Sequence, residues 1–186
     1  MDVDDAVALI APAVPARGAW ADLGAGRGTF SRALAACLGP RGRVYAVDRD
    51  ASAVAALARE RGGRRAAAPI TPLLADFTDA AAWRALDLPP LDGVLLANAL
   101  HFVPSGAQPA VLASIAARVR TEGRLLLVEY EGRPASRWVP HPVSLERLAA
   151  IAPPDVSPPV EVGRRRSAFG GWMYAARCDR LPPYDA

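Results

Sequence analysis

Apolar residues along this chain fall into two alternating rhythms. Short, nearly continuous apolar runs at 19–23, 43–47, 70–74, 91–97 and 124–129 have the length and density of strands buried on both faces. Between them, 29–38, 52–61, 78–86 and 109–118 place apolar positions at helical spacing, and Pro109 suits a first helical turn. Gly39-Pro40, Gly62-Gly63 and Glu122-Gly123 punctuate the series. Strand and helix in alternation predict an α/β fold built on a parallel sheet.

The two ends depart from this rhythm. A leading helix near 4–11, with acidic residues at its positive end, precedes the first strand and is placed to act as a lid or as packing. Past Glu129, seven prolines from Pro134 to Pro159 interrupt the chain around one short helix at about 144–151. Two β-like runs follow, 160–166 and 172–178, and the five residues between them predict an antiparallel hairpin.

At 186 residues the chain is one domain's length, long enough to bury roughly 70% of its extended surface. The 52% hydrophobic content includes 40 alanines, so 56 larger apolar residues form the core. An acidic start, Met1-Asp2-Val3-Asp4-Asp5, and the lack of any run near 20 apolar residues predict a soluble, cytoplasmic protein. All 22 basic residues are arginine, which removes Schiff-base and P-loop lysine chemistry. A net charge of +3 makes nucleic acid an unlikely partner. Cys37 and Cys178 are 141 positions apart, and with two histidines, His101 and His141, they make no convincing metal site; buried reduced thiols are expected.

The densest chemical signal is Trp20-Ala21-Asp22-Leu23-Gly24-Ala25-Gly26-Arg27-Gly28-Thr29-Phe30, at the turn from the first strand into the first long helix. Glycines there permit tight backbone and close ligand approach. Relative to a dinucleotide-binding G-x-G-x-x-G, the third glycine comes one residue early, and Asp22 would repel a pyrophosphate but attract an ammonium group. A second acid, Asp48, ends the second strand 20 residues after Gly28, where a carboxylate can accept both ribose hydroxyls. Asp50 and Ser52 are better placed to cap the next helix, whereas Asp76 is placed either to bind a ligand or to cap a helix near Thr78.

With these motifs the chain resembles the class I S-adenosylmethionine-dependent methyltransferases (type 11-like). Asp22 to Gly28 matches the family's acidic residue followed by G-x-G-x-G, and Val44-Tyr45-Ala46-Val47-Asp48 matches its ribose-binding strand end. Leu73-Leu74-Ala75-Asp76-Phe77 matches its adenine-binding segment, and Leu96-Ala97-Asn98-Ala99-Leu100-His101-Phe102 its segment beside the methionine moiety. Glu122 to Glu129 looks like the turn into its fifth strand. The resemblance implies a Rossmann-like three-layer sandwich with a mostly parallel seven-stranded sheet and a C-terminal antiparallel hairpin. It divides one domain, 1–186, into an N-terminal helix (1–18), a cofactor core (19–130) and an acceptor-side loop and hairpin (131–186).

It also implies S-adenosyl-L-methionine as cofactor, contacted by Asp22, Gly24, Ala25, Gly26, Gly28, Asp48, Arg49, Asp76, Phe77, Asn98 and Ala99. Where the family often has an apolar residue over the adenine, this chain has Arg49, free to stack on the ring or point to solvent. His101 and Tyr130, at the ends of neighbouring strands, are the candidate catalytic residues, and each also has a structural reading, as a buried histidine and a loop anchor. The loop Arg137-Trp138-Val139-Pro140-His141-Pro142 reads as a wall over that mouth or as a rigid connector. Arg164-Arg165-Arg166 would alternate faces on a solvated edge strand. The expected reaction is in-line methyl transfer to a small-molecule acceptor by a monomer or homodimer. The alternatives are a non-catalytic S-adenosylmethionine-binding or partner subunit and, behind it, an NAD(P)-dependent oxidoreductase.

Overall fold

A computed structural model describes residues 1–60 and 66–183. Seven strands form one sheet: β1 (Gly18–Leu23), β2 (Gly42–Asp48), β3 (Ile70–Leu74), β4 (Leu91–Ala97), β5 (Val119–Glu131), β6 (Val160–Arg166) and β7 (Trp172–Asp179). Their order is β3-β2-β1-β4-β5-β7-β6. The first five run parallel, and β7 pairs antiparallel with both β5 and β6. This is the Rossmann-like sheet with the terminal hairpin that the alternating rhythm and the resemblance lead one to expect.

The central strands β4 and β5 are apolar at successive positions because both faces are covered, whereas β3 and β6 at the sheet edges are half-exposed. On β4, Val94 and Leu96 enter one core while Leu95 enters the other, and on β5 Leu125 and Leu127 oppose Leu126 and Val128. One core packs against α1 (Val3–Ile10) and α2 (Thr29–Leu38) through Ala6, Leu9, Ile10, Leu34 and Leu38. The other packs against α4 (Ala80–Ala85), α5 (Gln108–Ala116) and α6 (Leu145–Ile151) through Trp83, Leu112, Ile115 and Leu148. Between β2 and β3 lies α3 (Ala51–Arg59), which packs along both. Gly93 is needed for this packing, since a Cβ there would stand 2.5 Å from the Trp20 indole.

Several boundaries shift for reasons of local hydrogen bonding. The third helix starts at Ala51, capped by Asp50, and ends at Arg59; Arg61 and Gly62-Gly63 lie outside the described residues. The fourth is shorter than 78–86 because the Asp79 side chain, accepting from Ala81 and Ala82, sets its start. Glu122-Gly123 does not end an element. It lies inside β5, where Glu122 has φ 65° and the pairing with β4 slips between Leu91 and Gly93, a bulge rather than a turn. Cys178 is buried as expected, but Cys37 is only half-buried. No helix among the described residues is long and apolar enough to cross a membrane.

Candidate functional site

Where β1 and β4 lie side by side and their following segments diverge, a crevice opens at the C-terminal strand ends, as is general for open α/β sheets. The glycine turn forms its floor. Gly24, Gly26 and Gly28 all have positive φ, at 77°, 51° and 77°. Gly24 and Ala25 donate their N–H groups to the Val47 carbonyl at 2.9 and 3.1 Å, tying the turn to β2. A Cβ on Gly24 would stand 2.8 Å from the Ala99 Cβ, and one on Gly28 2.7 Å from a Leu57 methyl. A Cβ on Gly26 would meet nothing within 4 Å. Two glycines therefore serve packing, and Gly26 leaves its space open to a ligand.

The strand-end acids surround this floor. The Asp48 carboxylate accepts from Gly26 N–H at 2.7 Å and from Asp50 N–H at 2.8 Å, so it shapes the turn from below. Asp76 accepts from the Thr78 N–H and hydroxyl at 2.9 and 2.7 Å, a closed local turn, and does not cap α4. Burial works to raise its pKa, but the Thr78 bonds and the Arg49 guanidinium outweigh it and hold the carboxyl below the usual range. Arg49 remains largely exposed with one nitrogen 3.6 Å from Asp76, the more solvent-facing of its two readings.

Gly24, Gly26, Asp48 and Arg49 line one cleft of about 330 Å³ together with Asp76, Phe77, Asn98 and Ala99. Ala75, Thr78, Phe102 and Val103 complete its wall; Ala75 and Phe102 fall within the quoted segments, and Thr78 and Val103 are marked by no motif. Three expected residues stand apart from that wall. Ala25 and Gly28 only shape the turn, and Asp22 lies behind it, 1% exposed, accepting from the Ser31 hydroxyl at 2.6 Å. Burial pushes the Asp22 carboxyl up to about 7, with the Ser31 bond opposing and the Asp48 charge reinforcing the shift.

Asn98 joins this cleft to a second. Its backbone is left-handed, φ 54°, with its N–H bonded to the Val128 carbonyl at 2.8 Å. Its Oδ1 is buried and has no hydrogen-bond partner among the described residues. The second cleft, about 320 Å³, is walled by Phe30, Tyr130 and Met173 and bordered by α1 and the tip of the hairpin β6–β7. Phe30 closes the glycine-rich segment without being singled out there, and no motif marks Met173, since each sits at an ordinary apolar position of its element.

His101 lines neither cleft. It is 2% exposed, its Nδ1 lies 2.7 Å from Glu129 Oε2, and its N–H donates to Glu129 Oε1 at 3.1 Å. Tyr130, with its ring centroid 5.9 Å from that of His101, does reach the second cleft. The loop expected as a possible wall is a connector beside them: His141 N–H donates to the His101 carbonyl at 3.0 Å, while Trp138 is 65% exposed under the Arg137 guanidinium. On the edge strand β6 the three arginines part as alternation requires, Arg164 to Glu161, Arg165 to Asp5 and Arg166 over the Trp172 ring.

A family model described as a methyltransferase domain matches residues 21–123, more than half of the chain. No curated protein matches it in sequence. Among solved structures it is similar to the N-methyltransferase NodS from Bradyrhizobium japonicum, with 15% identity over 97% of this chain and 94% of that one and a TM-score of 0.68. It is similar to 1,6-didemethyltoxoflavin-N1-methyltransferase from Burkholderia thailandensis, solved with its acceptor and S-adenosylhomocysteine, at 23% identity over 97% and 78% of the two chains and a TM-score of 0.68. It is also similar to magnesium protoporphyrin IX methyltransferase from Synechocystis with bound S-adenosylmethionine, at 20% identity over 96% and 77% and a TM-score of 0.66. At these identities the likeness concerns the fold.

Proposed function

The chain belongs to the methyltransferase-domain family, and from that premise we propose that it transfers a methyl group from S-adenosylmethionine to a small-molecule acceptor. The observation that carries the reading is the first cleft, where an open glycine, two strand-end carboxylates and an unpaired amide oxygen meet. These groups fit the cofactor's chemistry. Asp48 and Asp76 suit hydroxyl and amino donors and would repel a pyrophosphate, and the one cation on the wall among the described residues, Arg49, already faces Asp76. An NAD(P)-type ligand is disfavoured on the same ground.

Asp48 would hold the ribose, Asp76 and Phe77 the adenine, and Asn98 and Ala99 the methionine end. Asp22 would act from behind the turn, as a buried charge partner to an ammonium group, because only the turn separates it from Gly26. When bound, the cofactor would supply an electrophilic methyl on sulfur for in-line transfer to an acceptor atom, with the carbon–sulfur electron pair left on sulfur. The protein's part is alignment, an effect on the order of 7 to 11 kcal/mol at best. His101, clamped by Glu129, is a positioning residue beside Tyr130, and an acceptor that loses a proton would give it to water in the cleft that Tyr130 lines. The neighbours that act on a toxoflavin precursor and a porphyrin support a small acceptor. A binding-only subunit remains the alternative because the buried His101 offers no base at either wall.

Calorimetry with S-adenosylhomocysteine tests the reading. Saturable binding is expected, and Asp48→Ala should weaken it by about 1.5 to 3 kcal/mol, roughly 10- to 150-fold. Folded protein that takes up neither S-adenosylhomocysteine nor S-adenosylmethionine would remove the proposal. Release of S-adenosylhomocysteine in an acceptor screen separates catalysis from binding alone.

A further inference from the structure

We infer that the second cleft takes the acceptor, and that this acceptor is a planar aromatic molecule bearing an O–H or N–H that Asn98 reads. The inference rests on the methyltransferase reading for the word acceptor, but the ligand chemistry follows from the walls of the cleft. Its volume, about 320 Å³, lies at the small end of the ~300 to 1,000 Å³ range of small-molecule sites, which suits about two fused rings.

The apolar walls come from three directions. Phe30 stands in the first turn of α2, directly after the glycine turn, Tyr130 stands near the end of β5, and Met173 lies on β7. Flat rings and a polarizable thioether favour an aromatic guest over a saturated one of equal size. A third ring, Phe169, lies at the hairpin tip and is 78% exposed although it borders the cleft. Behind it, Gly170 and Gly171 have φ 85° and 74°, and a Cβ on either would meet nothing within 4 Å. A large apolar ring held in water on so unencumbered a turn is placed to cover a ring bound below it.

Arg165 and Asp5 stand 2.8 Å apart at this cleft and offset each other's charge, although Arg165 Nη1 makes no hydrogen bond among the described residues. Arg166 also borders the cleft, but its guanidinium lies over the Trp172 ring. Besides Arg165 Nη1, the group at this cleft left without a hydrogen bond among the described residues is the Asn98 amide. Its Oδ1 is an acceptor buried without a donor, a costly state that a ligand hydroxyl or N–H at the junction of the two clefts relieves. Because Asn98 borders both clefts, a donor bonded to it lies beside the place where the cofactor's methionine end would sit.

Naphthol, decahydronaphthol and methoxynaphthalene form a probe set that varies planarity and the donor separately. Each is titrated into the full chain, with and without saturating S-adenosylhomocysteine, and followed by ligand-observed NMR. Naphthol should bind at least about tenfold more tightly than either analogue. Asn98→Ala should erase the preference over methoxynaphthalene and keep that over decahydronaphthol. Phe169→Ala, which alters only an exposed tip and leaves folding untouched, should weaken naphthol at least about fivefold.

No saturable naphthol binding at millimolar concentration, equal affinity for decahydronaphthol, or indifference to both substitutions would overturn the inference. If S-adenosylhomocysteine binds and naphthol does not, the acceptor class falls while the methyltransferase reading stands. If naphthol binds with the expected selectivity and S-adenosylhomocysteine does not bind, the methyltransferase reading falls and the aromatic site stands.

Discussion

The two clefts that meet at Asn98 are made by different means. The first is mostly backbone and strand ends: a turn with three positive-φ glycines, two aspartates whose carboxylates bond to nearby N–H groups, and a left-handed asparagine. The second, beyond Asn98, is lined from α1, α2, β5 and the hairpin β6–β7, by residues spread from Met1 to Met173 whose large apolar members are Phe30, Tyr130, Phe169 and Met173. Backbone conformation of this kind restricts residue type at each position, so it leaves a local mark in the sequence. A wall of apolar side chains restricts only volume and polarity, and those demands are met at positions far apart in the chain.

The sharpest way to break this contrast is to put a side chain where the first cleft depends on having none. Gly26→Leu adds bulk at the one glycine of the turn with open space around its Cβ, so its cost to folding is the left-handed strain of about 1 to 2 kcal/mol. Its cost to cofactor binding should be far larger, about a hundredfold or more, because the ligand and the new side chain need the same volume. A melting curve beside a calorimetric titration reads both. Full affinity for S-adenosylhomocysteine in a folded Gly26→Leu protein would show that the ligand does not approach this backbone, and the contrast between the two clefts would then fall away.

Legibility follows the same division. The strands were readable because helices cover both faces, which makes the apolar runs continuous, as at 91–97 and 124–128. The long β5 was not, since Glu122-Gly123 has the composition of a turn whether it ends a strand or bulges within one. In the first cleft the glycines and strand-end acids were legible. The burial of Asp22 was not drawn out, although two-residue alternation puts it on the same face as Trp20, against α2 and Ser31. His101 reads equally as base or core histidine because its partner, Glu129, is 28 residues away and arrives only through the pairing of β4 with β5.

A smaller effect sharpens the place of Asp22, a motif residue that stands outside the cleft wall. Its carboxyl titrates at about 7 in the fold against an ordinary 3.8, so across that window the folded chain keeps a proton that the unfolded chain has lost. Its contribution to stability is therefore full below 3.8 and is lost as pH rises through about 7, at up to about 1.4 kcal/mol per pH unit. Asp22→Asn, which keeps an acceptor for Ser31 and cannot ionise, should flatten that fall. Denaturant titrations of both proteins across the window read the difference. Parallel pH profiles would mean that Asp22 is ionised throughout and already neutralised.

The smallest effect is expected at the residue that looks most exposed to selection for binding. Trp138 is 65% exposed, stacked under Arg137 at 4.6 Å, and borders neither cleft. What ties its loop down is backbone: Ser136 and Val139 exchange N–H bonds with each other's carbonyls, and His141 N–H reaches the His101 carbonyl. Removing the indole leaves those bonds in place, so Trp138→Ala should change stability by no more than about 0.5 kcal/mol. Affinities for S-adenosylhomocysteine and naphthol should also stay unchanged. A loss of naphthol binding comparable to that of Phe169→Ala would extend the second cleft past Asn98 to this loop, and the wall that the hairpin supplies would then be only half of it.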